Sequence, residues 1–309
     1  MPFILLILLF PLKDSHPFWL DLEELEIYDS MVVTLTRYKD ATYIVSPGDN
    51  RIVKVDNQGA PLAHYAAAGQ GPLELQRPGM IGVNEQGVFI VTRLNTVICM
   101  DHDLKPTGES WPMLPFRVNS GMALGPDRFL VTGRLAPEPA ALIELYRQND
   151  SWEILRAYAP LPATPEARTL FPEYDNDVLF FYQGFLKGYP YNADQDTYEI
   201  KTFLYGERDR EELLLTIRGD VHDAVPKADM LMATEVVAWK GGYVVVLKHS
   251  HKRKFVQSML DLYDAKGKFL KRKPFENEIR IFPIQGASED LLVDVAEAKG
   301  YRLSEVLKP

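Results

Sequence analysis

The sequence predicts an all-β fold that is assembled from repeated small antiparallel sheets. Three observations indicate this fold class: short β-branched and aromatic runs alternate with turn residues, almost no stretch has sustained helical periodicity, and one segment recurs after 45 residues. The composition agrees, because 22 prolines, 20 glycines, 15 tyrosines and 15 phenylalanines suit many short strands joined by turns.

The repeat is clearest between residues 43–59 and residues 88–104, which align without a gap. This alignment places Asn50 on Asn95. Such internal similarity predicts that one small structural unit is used several times along the chain. Two further copies are less faithful, over residues 129–145 and 243–267.

The repeated segments share an aspartate at their end. Asp56 aligns with Asp101, and the pattern Asp-x-x-Gly stands both at Asp56–Gly59 and at Asp264–Gly267. An aspartate side chain accepts hydrogen bonds from backbone amides two residues on, and glycine readily adopts positive φ. The pattern therefore predicts a tight hairpin turn at the end of each copy.

Each unit reads as four short strands, which in the first unit are Met31–Arg37, Thr42–Ser46, Arg51–Asp56 and Pro61–Ala66. Repeats of about 40–50 residues with four strands each are typical of propeller blades. Inner strands are predicted to begin near residues 31, 79, 121, 166, 234 and 279. The sequence therefore predicts a single six-bladed β-propeller domain over residues 13–309, with four antiparallel strands per blade and a long fourth blade.

The two ends of the predicted domain complement each other. The final unit offers three strands, at Ile279–Ile284, Leu291–Val295 and Tyr301–Leu307, while Phe18–Tyr28 precedes the first unit as an extra apolar segment. An unpaired blade edge exposes backbone hydrogen-bonding groups. We therefore expect the N-terminal segment to close the last blade as its fourth strand.

Two segments of the chain resemble NHL-type repeats. Gly69–Ile81 (GQGPLELQRPGMI) resembles the junction between such repeats, and Asn50–Asp56 (NRIVKVD) resembles their N-R-V-x-x-F-D segment. The sequence departs from the family pattern at Leu73, Leu75 and Gly79-Met80, and the likeness is concentrated between residues 30 and 110. The resemblance implies a six-bladed propeller similar to bacterial propellers of unassigned role, many of them exported.

The charge and the cysteine count exclude several classes of function. Lys and Arg number 34 against 43 Asp and Glu, so the net charge of −9 disfavours nucleic-acid binding. The single cysteine, Cys99, excludes an intramolecular disulfide, a thiolate zinc site and an iron–sulfur cluster. Cys99 lies within an apolar run, which favours a buried, inert thiol.

The N-terminal run Phe3–Leu12 is apolar but too short for the roughly 20 residues of a membrane-spanning helix. Its length fits the hydrophobic region of a signal peptide, although no Lys or Arg precedes it and no small-x-small cleavage site follows. The alternative is a buried first strand. We therefore expect a protein without an integral membrane segment that is secreted, periplasmic or cell-envelope-associated, or otherwise cytoplasmic.

Propeller topology predicts where a ligand would bind. The loops between second and third strands and the connections between blades emerge on one face. Three consecutive blades are predicted to carry enlarged loops there: Gly133–Ala140, Gln183–Thr197 and Lys248–Lys254. Added loop length contributes nothing to the core, so it favours a binding role for blades three to five. The alternative is that the insertions have no function, because lengthening a loop costs little entropy.

Several residues in or near these loops are candidates for ligand contact. Aromatic residues around Tyr189 could stack on a sugar or a peptide, or could pack between blades. An arginine near the end of a second strand could bind an anion or serve a structural partner. The candidates are Arg93, Arg134, Tyr189, Tyr191, His249 and His251.

The two histidines invite a metal-site hypothesis. His249 and His251 are two apart, so a strand would place them on one side. The basic run Lys252-Arg253-Lys254 opposes a bound cation by repulsion. A solvated hairpin tip, or a site for an anionic ligand, agrees better with these charges.

No nucleophile elbow, metalloprotease, Walker or dinucleotide-binding motif is present in the sequence. We therefore predict a non-catalytic, monomeric binding propeller without cofactor that recognises a protein, peptide or glycan. The alternative, implied by resemblance to other six-bladed propellers, is a calcium- or zinc-dependent lactonase or lyase with Asp49, Asn50 and Asn95 among its ligands. A sensor or scaffold domain of a cell-envelope system is a third possibility.

Overall fold

The computed structural model describes residues 19–29, 34–69, 71, 73–123, 127–134, 140–160, 173–175, 178–183, 197–204, 211–218, 230–252, 254–285 and 290–308. The secondary structure of these residues is almost entirely β. Phe3–Leu12, the predicted signal-like run, lies outside the described residues. Within the described ranges, no helix is long and apolar enough to cross a membrane.

The strands and the one helix of the described residues follow in chain order. They are β1 (Leu20–Asp21), β2 (Thr34–Tyr38), β3 (Ala41–Ser46), β4 (Arg51–Val55), β5 (Pro61–Ala66), β6 (Met80–Val83), β7 (Val88–Val91), β8 (Val97–Met100), β9 (Pro106–Ser110), β10 (Arg117–Ala123), β11 (Arg128–Arg134), β12 (Ala140–Gln148), β13 (Ser151–Pro160), β14 (Glu173–Asp175), β15 (Val178–Gln183), β16 (Thr197–Leu204), β17 (Glu211–Arg218), β18 (Met230–Trp239), β19 (Gly242–His251), β20 (Lys254–Tyr263), β21 (Phe269–Phe275), β22 (Ile279–Gln285), β23 (Asp290–Asp294), β24 (Lys299–Arg302) and α1 (Leu303–Val306).

The described strands pair as four-stranded antiparallel units. Units two to five are separate sheets made of β6–β9, β10–β13, β14–β17 and β18–β21. Unit one (β2–β5) and unit six (β22–β24 with β1) share one eight-stranded sheet, ordered β1-β24-β23-β22-β2-β3-β4-β5. The link between them is a short parallel pairing of β2 with β22, which sets Leu35 opposite Ile284. The innermost strands of the first and last units are therefore direct neighbours.

The predicted strands of unit one agree with the structure to within three residues at every boundary. The aspartate turns also form as predicted. In the turn between β4 and β5, Asp56 Oδ1 accepts the amides of Gln58 and Ala60 at 2.8 and 2.9 Å, and Gly59 has φ +87°. Asp101 and Asp264 accept the equivalent amides in the β8–β9 and β20–β21 turns. Leu104 takes the glycine position of the β8–β9 turn at φ +62°.

The core lies between neighbouring units, and alternate residues of one strand serve different neighbours. Ile44 of β3 packs towards unit six in a cluster with Phe282, whereas Tyr43 and Val45 pack towards unit two in a cluster with Ile81. Further clusters fill the space between units two and three and between units five and six. Because both faces of these sheets are covered, β3, β7 and β8 are buried throughout.

Charged side chains also connect units five and six. Arg280 Nη1 of β22 donates to Glu235 Oε1 of β18 at 2.6 Å, and Arg280 Nη2 donates to Glu278 Oε1 at 3.0 Å. Lys248 Nζ of β19 donates to Glu278 Oε2 at 2.6 Å. These side chains are each less than a quarter exposed, so loss of one partner would leave a poorly solvated charge.

The N-terminal segment completes unit six, as the sequence predicts for residues 18–28. Leu20 of β1 lies opposite Gly300 of β24, and the amides of Trp19 and Leu22 donate to backbone carbonyls of unit six at 2.7 and 3.0 Å. Lys299 forms an ion pair with Asp21. The hydrogen bond from Lys299 lowers the pKa of the Asp21 carboxyl, so this contribution to stability is lost as the pH falls through that lowered value.

The β4–β5 turn of unit one contacts the N-terminal segment (residues 19–28), which we call the closing segment. The backbone carbonyl of Asn57, in the β4–β5 turn, accepts hydrogen bonds from Trp19 Nε1 at 3.2 Å and from the guanidinium of Arg302. The Arg302 guanidinium also lies 5.1 Å from the centre of the Trp19 ring. The first and last parts of the described chain are thus joined side by side.

Two predictions about secondary structure are wrong. The predicted strand Tyr301–Leu307 ends at Arg302 and continues as α1; Arg302 pairs with Leu291 near the start of β23, and no later residue pairs with a strand of the described part of the chain. The predicted enlarged loop Lys248–Lys254 is instead strand up to His251, and the next strand begins at Lys254. Its polar residues fit the sheet because Lys248 has Glu278 as a partner.

The other two predicted enlarged loops lie largely outside the described residues. Strand β11 ends at Arg134 and β12 begins at Ala140, while β15 ends at Gln183 and β16 begins at Thr197. Both intervals therefore stand between second and third strands, where the sequence predicts them. Residue 166, the predicted start of the fourth inner strand, is also outside the described residues, and β14 is described from Glu173.

The contact between the β4–β5 turn and the closing segment can be tested with two glycines. A Cβ at Gly59 would collide with the Trp19 carbonyl oxygen, whereas a Cβ at Gly241 meets no atom of the described residues within 4 Å. Both glycines have φ near +80°, at +87° and +76°. We expect Gly241→Ala to lower the free energy of unfolding by about 1 kcal/mol, and Gly59→Ala by about 2–4 kcal/mol. Urea unfolding followed by tryptophan fluorescence measures both, and equal losses would contradict the contact.

Candidate functional site

One end of the sheets carries two kinds of loop. The second and fourth strands of a unit run in the same direction, so the loop after the second strand and the connection after the fourth emerge together. We call this end the connection face; its described part comprises residues 22–29, 47–50, 67–69, 71, 73–79, 92–96, 111–116, 252, 276–278 and 295–298. Loops on a rigid β scaffold are the usual place for binding residues.

The first loop of the connection face, residues 47–50, joins the segments on both sides of it. The Asp49 carboxylate accepts hydrogen bonds from the amides of Tyr28 and Asp29, at 3.0 and 2.9 Å. Asn50 Oδ1 accepts the amide of Arg77 at 2.7 Å. Loop 47–50 therefore fixes the connection from unit six to unit one and the connection from unit one to unit two.

The next loop, residues 92–96, makes corresponding contacts. The amide of Arg93 donates to the carbonyl of Gln76 at 2.9 Å, and the carbonyl of Asn95 accepts the amide of Leu114 at 3.0 Å. Within the loop, the Thr92 amide donates to the Thr96 carbonyl at 3.0 Å. Five successive segments of the connection face thus form one continuous surface with a hydrogen-bonded backbone.

The 45-residue repeat aligns these two loops, and the aligned positions carry side chains of different polarity. Asn50 and Asn95 both have left-handed backbones, at φ +49° and +64°. The residue before each differs: Asp49 is half-buried and holds neighbouring amides, whereas Leu94 is 46% exposed. The second loop therefore presents an apolar side chain to solvent where the first loop uses a structural carboxylate.

Exposed large apolar side chains gather on this face. Tyr28, Leu73, Leu94 and Met113 are between 45% and 72% exposed, and each belongs to a different segment of the connection face. The other exposed large apolar side chains of the described residues lie on strands away from these loops, at Leu62, Ile154, Leu155, Val256 and Leu270. A group of exposed apolar residues on adjacent loops is more informative than single ones, which are common on any protein surface.

The structure describes the surroundings of three of the predicted site residues. Arg93 lies exposed in the loop after β7. His249 is buried at 5% exposure within β19, whereas His251 is exposed at its end. The pairing of β19 with β20 is irregular between His249 and Ser250. The two imidazoles are therefore not presented together on an exposed surface.

The remaining predicted residues are only partly described. Arg134 is the last residue of β11, paired with Arg117 and Ala140 through the backbone. Tyr189 and Tyr191 lie outside the described residues. Whether Arg134, Tyr189 and Tyr191 contact a ligand stays a prediction.

Two of the three side chains proposed for a metal site, those of Asp49 and Asn50, already take part in the loop structure. The carboxylate of Asp49 accepts two amides, and Asn50 Oδ1 accepts the amide of Arg77. Asn95 Oδ1 is buried without a hydrogen-bond partner among the described residues. In the described part of the chain, no three His, Cys, Asp or Glu side chains are grouped as metal ligands usually are. Asp49 and Asn50 thus have a structural role that explains their presence in the loop.

Cys99 is buried in β8, as the sequence predicts. Burial raises the pKa of its thiol to about 12. A thiol with so high a pKa is almost entirely protonated at neutral pH and is a poor nucleophile.

Sequence reasoning missed Tyr28, Leu73, Arg77 and Met113 as members of an exposed surface. A signal was present at Leu73, where the chain departs from the glycine preferred by NHL-type repeats. A second signal was Leu94, which replaces Asp49 in the internal repeat. Both are apolar residues in segments where turn-forming residues are expected.

No family model matches the sequence, and no curated protein sequence matches it. Solved structures are similar in fold. The β-propeller domain of Cps50 (Swd1) from Myceliophteria thermophila aligns with a TM-score of 0.52 at 11% identity, covering 88% of this chain and 96% of that domain. A Bacteroides fragilis protein classed as exported aligns with a TM-score of 0.54 at 14% identity, covering 85% and 80% of the two chains.

A member of the DUF4221 family from Bacteroides vulgatus also aligns, with a TM-score of 0.52 at 9% identity, covering 87% of this chain and 89% of that one. At identities this low, structural similarity indicates the fold alone. This similarity and the four-stranded units together show that this chain has a β-propeller fold.

The two loop asparagines provide a matched test of the connection face. Asn50→Gly removes the acceptor for the Arg77 amide, whereas Asn95→Gly removes a buried oxygen that has no partner among the described residues. Glycine suits the left-handed backbone at both positions. We expect Asn50→Gly to reduce the free energy of unfolding by about 1 kcal/mol more than Asn95→Gly does. Urea unfolding measures the difference, and a larger loss for Asn95→Gly would contradict these contacts.

Proposed function

We propose that this protein is a non-catalytic, six-bladed binding propeller that recognises a protein, peptide or glycan through its connection face. Units one to six would be the six blades, with β2, β6, β10, β14, β18 and β22 as the inner strands. The NHL-like segments at Asn50–Asp56 and Gly69–Ile81 support this assignment, because they fall in unit one and in its connection to unit two.

The observation that carries the proposal is the group of exposed apolar side chains on hydrogen-bonded loops. Tyr28, Leu73, Leu94 and Met113 contribute little to the core, yet they stand on segments whose backbones are fixed by Asp49, Asn50, Gln76 and Asn95. Each large apolar side chain that a ligand covers fully contributes about 1.5–3 kcal/mol. A fixed backbone also lowers the entropy lost on binding.

The proposal covers a wider part of the face than the sequence predicts. The site predicted from the sequence on blades three to five rests on Arg134, Tyr189, Tyr191, His249 and His251, in or near loops that are predicted on the same face. The exposed apolar residues of the described chain add blades one to three and the closing segment to it. A ligand that spans several blades would contact both parts.

We also propose that the protein acts outside the cytoplasm. The short apolar run Phe3–Leu12 has the length of a signal-peptide core. One structurally similar Bacteroides protein is classed as exported, which agrees with this location.

The binding face can be tested by comparing two matched double variants. Leu94→Ser with Met113→Ser removes apolar side chains from the connection face, and Leu62→Ser with Leu270→Ser removes equally exposed ones from β5 and β21. We expect partners captured by the native protein, from extract or on a glycan array, to be lost by the first variant and retained by the second. Because all four of the substituted side chains are exposed, both variants should keep their unfolding midpoints close to the native value.

Quantitative mass spectrometry of the captured proteins and the array signal give the readout. If both double variants retain the same partners, the connection face is not the binding surface. Loss of the same partners by both variants would also contradict the proposal.

A further inference from the structure

Building on the proposed function, we infer that one part of the connection face binds a short protein segment in which acidic residues flank apolar ones. This part, which we call the arginine patch, consists of Leu73, Arg77, Arg93, Leu94 and Met113. All five side chains are exposed. They come from three adjacent segments: the connections before β6 and before β10, and the loop between β7 and β8.

The two arginines are neighbours although they are far apart in sequence. The amide of Arg93 donates to the carbonyl of Gln76 at 2.9 Å, and Arg77 directly follows Gln76. The Arg77 amide is in turn held by Asn50 at 2.7 Å. Among the described residues, neither guanidinium has an ion pair or a side-chain hydrogen bond, so both are available to a carboxylate ligand.

The acidic residues of the face leave this part positively charged. Glu74 is the nearest in sequence, and its carboxylate is turned back onto its own loop, accepting the Gly71 amide at 2.6 Å. Glu26 pairs with Arg51, and the other acidic residues of the described face lie on loops outside the patch, at Glu23, Glu24, Asp29, Asp49, Glu276, Glu278 and Glu297. In a chain of net charge −9, two adjacent exposed arginines form a local site that attracts acidic groups.

The apolar members of the patch distinguish a protein segment from a simple polyanion. Leu73, Leu94 and Met113 are between 45% and 60% exposed, and an apolar ligand side chain is needed to cover them. Leu94 and Met113 are close, since the carbonyl of Asn95 accepts the amide of Leu114 at 3.0 Å. The patch contains no aromatic ring on which a nucleic-acid base could stack. A segment with acidic residues beside leucine or phenylalanine would pair with the two arginines and also cover the three apolar side chains.

The test uses short fluorescent peptides of three compositions and measures their affinity by anisotropy. The first combines Asp and Glu with Leu and Phe, the second replaces the acidic residues by lysine, and the third replaces the apolar residues by serine. Inorganic polyphosphate serves as a polyanion without apolar groups. We expect the acidic–apolar peptide to bind most tightly, and to bind more weakly as the salt concentration rises.

Three double variants locate the binding. Arg77→Glu with Arg93→Glu reverses the charge of the patch, and Lys266→Glu with Lys268→Glu makes the same change in exposed residues of the β20–β21 turn at the opposite end of the sheets. Leu94→Ser with Met113→Ser removes two of the three apolar side chains of the patch. We expect the arginine variant to weaken the acidic–apolar peptide about tenfold or more, with no change in the lysine variant.

Each other outcome is decisive. Equal affinity for the lysine-containing peptide, no binding by any peptide, tighter binding of polyphosphate, or no effect of the arginine variant would overturn the inference. In any of these cases, the capture experiment described above for the Leu94→Ser, Met113→Ser variant separates the two proposals. If that variant still loses the partners that the native protein captures, the connection face remains the binding surface and only the stated ligand chemistry is wrong. If neither variant changes any binding, both proposals are wrong.

Discussion

The fold depends on one packing constraint, which is that each sheet between two neighbours must bury both of its faces. Ile44 of β3 packs towards unit six, and Val45, the next residue, packs towards unit two. The strands therefore contain unbroken apolar runs instead of the alternating pattern of a sheet with one wet face. A sheet of this kind is stable only when neighbouring units lie on both sides of it.

This constraint leaves two places for function, the outer strands and the loops at the sheet ends. At the connection face, the loops hold one another through the side chains of Asp49 and Asn50 and the backbone carbonyls of Gln76 and Asn95, so their shape does not depend on the exposed apolar side chains. Side chains such as Leu94 are then free to differ between repeats without loss of the loop. The replacement of a structural Asp49 by an exposed Leu94 illustrates how one repeat can acquire a binding residue.

Local chemistry explains which parts of the fold could be predicted from sequence. The strands of unit one and the aspartate turns depend on neighbouring residues, and the Asp56 turn forms as its Asp-x-x-Gly pattern predicts. The role of the N-terminal segment also followed from the missing strand of the last unit. The turns follow from neighbouring residues alone, and the place of the N-terminal segment follows from counting the strands of the last unit.

The predictions that failed depend on distant partners. The run Lys248–Lys254 reads as a loop because it is basic, but Glu278, thirty residues later, accepts Lys248 and allows the strand to continue. Leu303–Val306 reads as strand but forms helix α1, and no strand among the residues that the structure describes pairs with it. The arginine patch was missed for the same reason, because Arg77 and Arg93 become neighbours only through a bond between two loops.

The central claim is that the N-terminal segment is an integral strand of the last unit, so that the first and last units support each other. Native-state hydrogen exchange at the amides of Trp19 and Leu22, which donate to the carbonyls of Gly300 and Ala298, tests this most directly. If the claim is right, these two amides exchange with an opening free energy close to that of amides in β3 and β23, and with the same dependence on urea. Exchange at the rate of an unprotected chain, while β3 and β23 remain protected, would show that the segment is a peripheral tail.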